Sequence, residues 1–239
     1  REDLHGRSKA TLKDPDNSGS TLSVLSNDIY DNRREQYSIG WRGKTANSTY
    51  QLRTYYGEQE KENPSYVLSA GSLYGTLHNR DFSQRKTGAV EGSISTQMGN
   101  SHLLTTGGEF RREEYTGTRV NPAADSEIDS RALYIQDEWV ANDRLLIIPS
   151  LRYDDSDKFS GNFSPKLGMT YKMNDQYRLK AGVGKGFKAP TLDDMYMKMS
   201  KPMGSMTVNV TGNPDLKPEK STSYELGIES EKGRNFGKV

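Results

Sequence analysis

The sequence has no cysteine, little apolar material and no long hydrophobic run. Only 32% of its 239 residues are hydrophobic, and the mean hydropathy is -0.89. A transmembrane helix needs about 18 or more apolar residues in succession, so none is predicted. The lack of cysteine is compatible with an exported protein. The net charge of +1 gives no reason to expect a nucleic-acid partner. A soluble domain of this composition would have little material for a core.

What the sequence does contain is apolar and polar residues in strict alternation, with 14 tyrosines and 23 glycines. The pattern is clear over 145–153, 163–173, 177–183 and 222–229, and it recurs around Tyr37, Tyr50 and Val90. Period-two alternation predicts β-strands with one apolar and one polar face. The residues predicted to face outward are Leu145, Ile147, Leu151, Leu167, Met169, Leu179, Val183, Leu226 and Ile228. Those predicted to face a wet lumen are Arg152, Lys166, Lys180 and Glu225.

The connections between these segments alternate in length. Short turns are predicted at 45–48, 99–101, 141–143, 174–176 and 231–235, and long connections at 57–84, 116–129, 154–161 and 186–220. A soluble β-sandwich also alternates along its strands, but it has no reason to alternate its connections. An antiparallel transmembrane β-barrel does, with short periplasmic turns and long extracellular loops. Trp139, Tyr171 and Tyr177 lie near short turns, where a periplasmic aromatic girdle would stand, although cross-strand packing would also explain them.

With 6–13 and 20–27 included as weaker strands, the pattern predicts about eleven strands and the start of a twelfth near Phe236. A turn is predicted at 14–19. Between Phe187 and Asn213, Thr191 followed by Asp193 and Asp194 predicts the capped start of a short helix.

Two motifs give the chain a family resemblance. They are Phe187-Lys188-Ala189-Pro190 and Asn213-Pro214-Asp215-Leu216-Lys217-Pro218-Glu219. In this order and spacing they resemble the C-terminal barrel region of TonB-dependent outer-membrane receptors, most closely the catecholate-siderophore and colicin I receptor branch. The segments 134–139 and 149–154 look like the preceding strands. The resemblance extends from about 101 to 229. Both motifs also have a structural interpretation, because proline ends strand pairing and shapes a loop.

The resemblance implies a 22-stranded barrel in the cell outer membrane of a Gram-negative type envelope, embedded in lipid and without enzymatic activity. Its implied function is TonB-dependent uptake of a ferric siderophore or similar metal chelate, with haem, cobalamin or copper uptake and a passive porin as alternatives. No plug domain or TonB-pairing motif is recognised. The expectation is that residues 1–239 form part of a receptor barrel and that TonB acts through a plug domain outside this chain. No cofactor or bound metal is expected.

The loops supply the candidate ligand-binding residues. Tyr66, Tyr74 and Arg80, with Lys188 beside the first motif, offer rings and positive charge for an anionic iron chelate. The alternative is a solvated loop whose aromatic residues pack on their own chain. His5, His78 and His102 lie in unrelated contexts, so no catalytic group is predicted.

The connection between the two motifs bears on the alternative ligands. It has no histidine, which argues against His-ligated haem. It holds five methionines, which are either soft Cu(I) ligands or, as we favour, a packing surface. These are Met195, Met197, Met199, Met203 and Met206.

Overall fold

The structure is a computed structural model that describes residues 2–13, 20–68, 71–122, 126–203, 206–232 and 235–238. Almost all of these residues lie in β-strands. Within the described ranges, no helix has the length and hydropathy needed to cross a bilayer. In chain order the elements are β1 (Glu2–Lys13), β2 (Thr21–Lys44), β3 (Ser48–Val67), a 3-10 turn (Gly71–Leu73), β4 (Leu77–Met98), β5 (His102–Gly117), β6 (Glu127–Asn142), β7 (Leu145–Ser156), β8 (Asn162–Lys172), β9 (Tyr177–Lys188), α1 (Leu192–Tyr196), β10 (Lys198–Met203), β11 (Met206–Thr211), β12 (Glu219–Lys232) and β13 (Asn235–Lys238).

The strands form one eleven-stranded antiparallel sheet in the order β1 to β9, then β12 and β13. Each strand pairs with its neighbour in sequence, apart from β9 and β12, whose connection holds α1 and a separate β10–β11 hairpin. The predicted antiparallel all-β fold is confirmed, as are the helix after Thr191 and the strand near Phe236. The turn predicted at 14–19 lies outside the described residues.

The main sheet has an apolar face and a polar face. On the apolar face, large apolar side chains lie opposite one another on neighbouring strands, including Tyr37 opposite Tyr56 and Trp41 opposite Leu52. Ile39 is 75% exposed and Leu226 is 78% exposed. Apolar side chains exposed over a continuous face, rather than singly, indicate that this face contacts an apolar environment.

The sides predicted from the alternation are confirmed. Leu151, Leu167 and Ile228 are exposed on the apolar face. On the polar face, Arg152 lines a cavity of 740 Å³ between β2 and β7. Lys166, Lys180, Glu225 and other polar groups line a second cavity of 520 Å³ between β6 and β12. Trp139, Tyr171 and Tyr177 lie on the apolar face near short turns, as predicted.

The short turns predicted at 45–48, 99–101, 141–143 and 174–176 fall within about two residues of those places. Residues 233–234, inside the turn predicted at 231–235, lie outside the described residues. The long loop predicted at 57–84 is wrong. β3 and β4 remain paired as far as Tyr66 opposite Leu77, and only residues 68–76 connect them. The reason is that this hairpin carries charge on its outer side, including Glu58, Glu60 and Lys86, so it lacks the apolar alternation by which strands are recognised. Likewise, 20–27 and the strand around Tyr37 are one strand, β2.

Candidate ligand-binding site at the outer rim

The site begins with α1, in the connection between β9 and β12. The backbone N–H of Asp194 donates to Thr191 Oγ1 at 3.2 Å, and the N–H of Thr191 donates to Asp194 Oδ2 at 3.0 Å. This reciprocal capping box satisfies amides that a helix start would otherwise leave unpaired. Hydrogen bonds from the side chain and backbone of Thr191 hold the pKa of the Asp194 carboxyl below its usual range. The capping box therefore fixes where the helix begins.

The connection does not extend away from the sheet but crosses its polar face. Leu192 and Met195 are buried against Tyr115, Val120 and Ile128, on and beside β5 and β6. Strands β6, β7 and β8 separate β9 from β5 in the sheet, so the connection spans them. Backbone hydrogen bonds secure the contact: Lys198 N–H donates to the Arg119 carbonyl at 2.7 Å, and Asn121 N–H donates to the Tyr196 carbonyl at 2.9 Å.

Arg85 on β4 is the charged partner of this connection. Its guanidinium lies over the Tyr115 ring, 4.3 Å from the centroid, and forms an ion pair with the Asp193 carboxylate. Burial alone would lower the pKa of Arg85, but the hydrogen bond and charge of Asp193 outweigh it and raise that pKa. Burial, followed by the Asp193 charge, raises the pKa of the Tyr115 hydroxyl. Arg85 is therefore cationic and Tyr115 is neutral.

A cavity of 270 Å³ lies beside this group. It is lined by polar-face positions of β3, β4 and β5, by Phe82 and by Arg119, which forms a 2.5 Å ion pair with Asp81. Its lining includes Lys61, Asn63, Asp81, Ser83, Arg85, Tyr115 and Arg119. Guanidinium groups against tyrosine rings suit a flat anionic ligand.

The same chemistry continues farther along the polar face. The guanidinium of Arg53 lies 5.6 Å and that of Arg111 lies 6.0 Å from the Tyr55 ring centroid. Arg53 pairs with Glu91 at 3.5 Å and Arg111 with Glu109 at 2.9 Å.

The four ligand-binding residues predicted from the sequence lie in two places. Tyr66, Tyr74 and Arg80 belong to the β3–β4 hairpin, where Tyr74 is 69% exposed and Arg80 pairs with Glu62 at 2.5 Å. Lys188 ends β9, with strands β5 to β8 between it and that hairpin. Their participation in a single site stays a prediction.

Arg85, Tyr115, Arg119 and Asp193 were not among the ligand-binding residues predicted from the sequence. The position of two of them on the polar face could have been predicted. Counting back from the apolar position Val90 assigns Arg85 to the polar face, and counting on from Phe110 assigns Tyr115 to the same face. The contact with Asp193 had no local signal.

The two motifs lie at the two ends of the connection between β9 and β12, and their residues pair with each other or hydrogen-bond to α1. Lys188 pairs in register with Glu219, their charged groups 3.8 Å apart, and Phe187 pairs with Lys220. Pro190 is buried, and in sequence it lies between Lys188 and the start of α1. The N–H of Asn213 donates to the Asp194 carbonyl at 2.9 Å, and Leu216 N–H closes a turn onto the Asn213 carbonyl at 3.3 Å. The remaining motif residues, Ala189, Pro214, Lys217 and Pro218, lie in the coil between these contacts.

The methionines have different environments. Met195 is 2% exposed in the apolar cluster, as expected for packing, whereas Met206 on the hairpin is 70% exposed. Among the residues that the structure describes, no group of three or more His, Asp or Glu side chains could hold a metal ion.

Comparison with known proteins identifies the family. Residues 3–239 match the family described as TonB dependent receptor-like, beta-barrel. The chain belongs to this family. It is therefore part of an outer-membrane barrel. In such barrels the short turns face the periplasm and the long connections face the cell exterior, which assigns the cavity beside Arg85 to the extracellular end of the lumen.

Three relatives illustrate the range of the family. The chain is 35% identical over 235 residues to the probable TonB-dependent siderophore receptor PirA of Acinetobacter baumannii, covering 83% of this chain and 30% of the relative. It is 28% identical to the ferric enterobactin receptor PirA of Pseudomonas aeruginosa, covering 82% and 31%. It is 30% identical to the vitamin B12 transporter BtuB of Photobacterium profundum, covering 63% and 24%.

A solved structure agrees on the fold. The crystal structure of the siderophore receptor PirA from Acinetobacter baumannii superposes with a TM-score of 0.71 at 22% identity, covering 97% of this chain and 41% of that chain. The chain spans about a third or less of the length of the three relatives named above.

Proposed function

We propose that this chain forms part of the barrel wall of a transporter that takes up a ferric siderophore across the outer membrane. The observation that carries the proposal is the guanidinium of Arg85 over the ring of Tyr115 at the extracellular end of the lumen. An anionic chelate with aromatic ligand groups gains both ion pairing and ring contact there. The 35% identity to a probable siderophore receptor supports the same ligand class.

The proposal includes partners beyond this chain. The apolar face would contact lipid, and a plug domain in the lumen, reached by TonB, would supply the energy-dependent step. It includes no catalytic step and no resident metal, the iron being cargo. The strands described here would then be one part of a larger closed barrel.

The test is a binding and uptake panel on the receptor that contains this chain. We expect ferric enterobactin to quench the tryptophan fluorescence of the purified receptor, and labelled iron to enter cells only when TonB is present. Uptake that persists without TonB, together with permeability to unrelated small solutes, would instead identify a passive porin.

Cobalamin is the second candidate, because the BtuB relative is 30% identical over 158 residues. The panel therefore includes cyanocobalamin, haemin and Cu(I). Saturable binding of cyanocobalamin with none of ferric enterobactin would replace the siderophore by a corrinoid and leave a transporter in place.

A further inference from the structure

The Asp193 carboxylate occupies a guanidinium donor of Arg85 that an incoming anion would also need. Asp193 forms an ion pair with Nη2 of Arg85, and the guanidinium lies over the Tyr115 ring. A carboxylate is the commonest protein partner for this group, and a second anion binds the same donors only by displacing the first. The contact is local to the tip of α1, because Asp193 is in its first turn.

The surroundings of Arg85 supply further binding groups. Lys61 and Arg119 line the same 270 Å³ cavity, and Tyr115 contributes its ring. Two positive charges and an aromatic face beside Arg85 attract an anion even while Asp193 holds the guanidinium. Asp81 offsets part of this charge through Arg119, at 2.5 Å.

We propose that Arg85, Tyr115, Arg119 and Lys61 form an anion-binding subsite for which Asp193 competes, so that the anionic chelate displaces the Asp193 carboxylate and shifts the first turn of α1 away from Arg85. This inference rests on the proposed function. Its consequence is that ligand affinity is set partly by an internal competitor: the apparent dissociation constant rises by the inverse of the fraction of molecules in which Arg85 is free.

Two features make the displacement possible without unfolding the connection. The C-terminal end of α1 stays anchored through Met195, which is buried in a cluster that includes Val120 and Ile128. The chain beyond α1 is held by the hydrogen bond from the Lys198 N–H to the Arg119 carbonyl. The ligand must bind the displaced arrangement more tightly than the paired one, since only differential affinity shifts a conformational equilibrium.

The decisive variant is Asp193→Asn, which keeps the shape of the side chain and removes its charge. We expect it to bind ferric enterobactin about threefold to tenfold more tightly than the wild-type receptor, because it removes the competitor. Structural damage alone would weaken binding, so the direction of the change is diagnostic. Arg85→Gln should weaken binding by about tenfold or more.

The matched control is Asp215→Asn. Asp215 lies in the same connection and carries the same charge, but its described hydrogen bond is from its backbone N–H to Asn213 Oδ1 at 3.0 Å. Removing its charge should change the affinity less than twofold. An equal gain in both variants would attribute the effect to the net charge of the connection and overturn the competition.

Movement is measured separately by amide hydrogen exchange of the wild-type receptor. Ferric enterobactin should accelerate exchange in the first turn of α1, which begins at Leu192. Binding by the wild type with no gain in Asp193→Asn and no change in this exchange would overturn this inference and leave the proposed function standing. Failure of every variant to bind any ferric chelate would overturn both.

Discussion

Gly212 lies so close to α1 that a Cβ built on it would stand 2.6 Å from the carbonyl carbon of Met195. Real Cβ atoms are not found at such distances, and the obstructing atom belongs to backbone that cannot rotate away. The residue before the second motif must therefore be glycine for the connection to pass the helix where it does, and its N–H donates to the Met197 carbonyl at 2.7 Å.

Replacing Gly212→Ala should displace the connection from α1. Overpacking of this kind costs about 1–3 kcal/mol, and we expect amide hydrogen exchange across 192–197 to accelerate accordingly. Gly88→Ala is the control, because a Cβ on Gly88 meets no atom within 4 Å. Indistinguishable exchange in the two variants would refute the close approach.

Loss of the helix cap should also loosen α1, while sparing the barrel. Thr191→Ala removes the acceptor for the Asp194 N–H, and such N-cap losses cost about 0.5–2 kcal/mol. Exchange mass spectrometry should show faster exchange confined to the connection. Thr191→Ser keeps an oxygen at the cap and should restore most of the protection; protection unaffected by Thr191→Ala would argue against the capping box.

The cap should be sensitive to acid. The pKa of Asp194 is lowered by hydrogen bonds from the side chain and backbone of Thr191. A carboxyl whose folded pKa lies below its unfolded value of about 3.9 contributes stability that is fully present above that value and lost as pH falls through the folded pKa. Protection of α1, corrected for intrinsic exchange, should therefore be constant from about pH 8 to 5 and decline below about pH 4. Asp194→Asn should flatten this decline.

Charge on the apolar face should impair assembly. Leu167 is 48% exposed on that face, and Arg at a lipid-facing midplane site costs about 2–4 kcal/mol. Leu167→Arg should therefore lower the yield of folded receptor, read from heat-modifiable mobility on gels, and Leu179→Arg should lower it less, because Leu179 pairs with Tyr171 near a short turn. Thr170 lines the 520 Å³ cavity that also holds Lys166, Lys180 and Glu225, so Thr170→Arg should be tolerated. Similar yields from all three variants would contradict the assigned faces.

Spin labels can test the same faces without introducing charge. The chain has no cysteine of its own, so within it a label at Leu151 or at Ser150 is unique. The label at Leu151 should collide mainly with oxygen dissolved in lipid, and the label at Ser150 with a water-soluble nickel reagent. Equal access to the reagent at both positions would reject the membrane-facing assignment.

Features that depend on neighbouring residues in the sequence could be predicted, whereas contacts between residues far apart in the sequence could not. Strands such as β8 and β9 were predictable because lipid and lumen impose opposite chemistry on alternate residues. The helix after Thr191 was predictable because its cap is local. The upper part of the β3–β4 hairpin has polar residues on both sides, so alternation could not reveal it. The packing of Met195 on Tyr115 joins residues far apart in sequence, and no pattern in either segment encodes it.

The upper β3–β4 hairpin also determines where the lumen begins. From Tyr56, at the edge of the apolar face, to Val67 the strand runs roughly 35 Å at about 3.3 Å per residue. With a strand tilt of about 40°, its tip would stand about 25–30 Å above the hydrocarbon layer. A solute would then leave bulk water nearly a bilayer's thickness outside the membrane, against a wall whose backbone is held by interstrand hydrogen bonds. The first contact between a solute and this protein would therefore lie well outside the lipid headgroups.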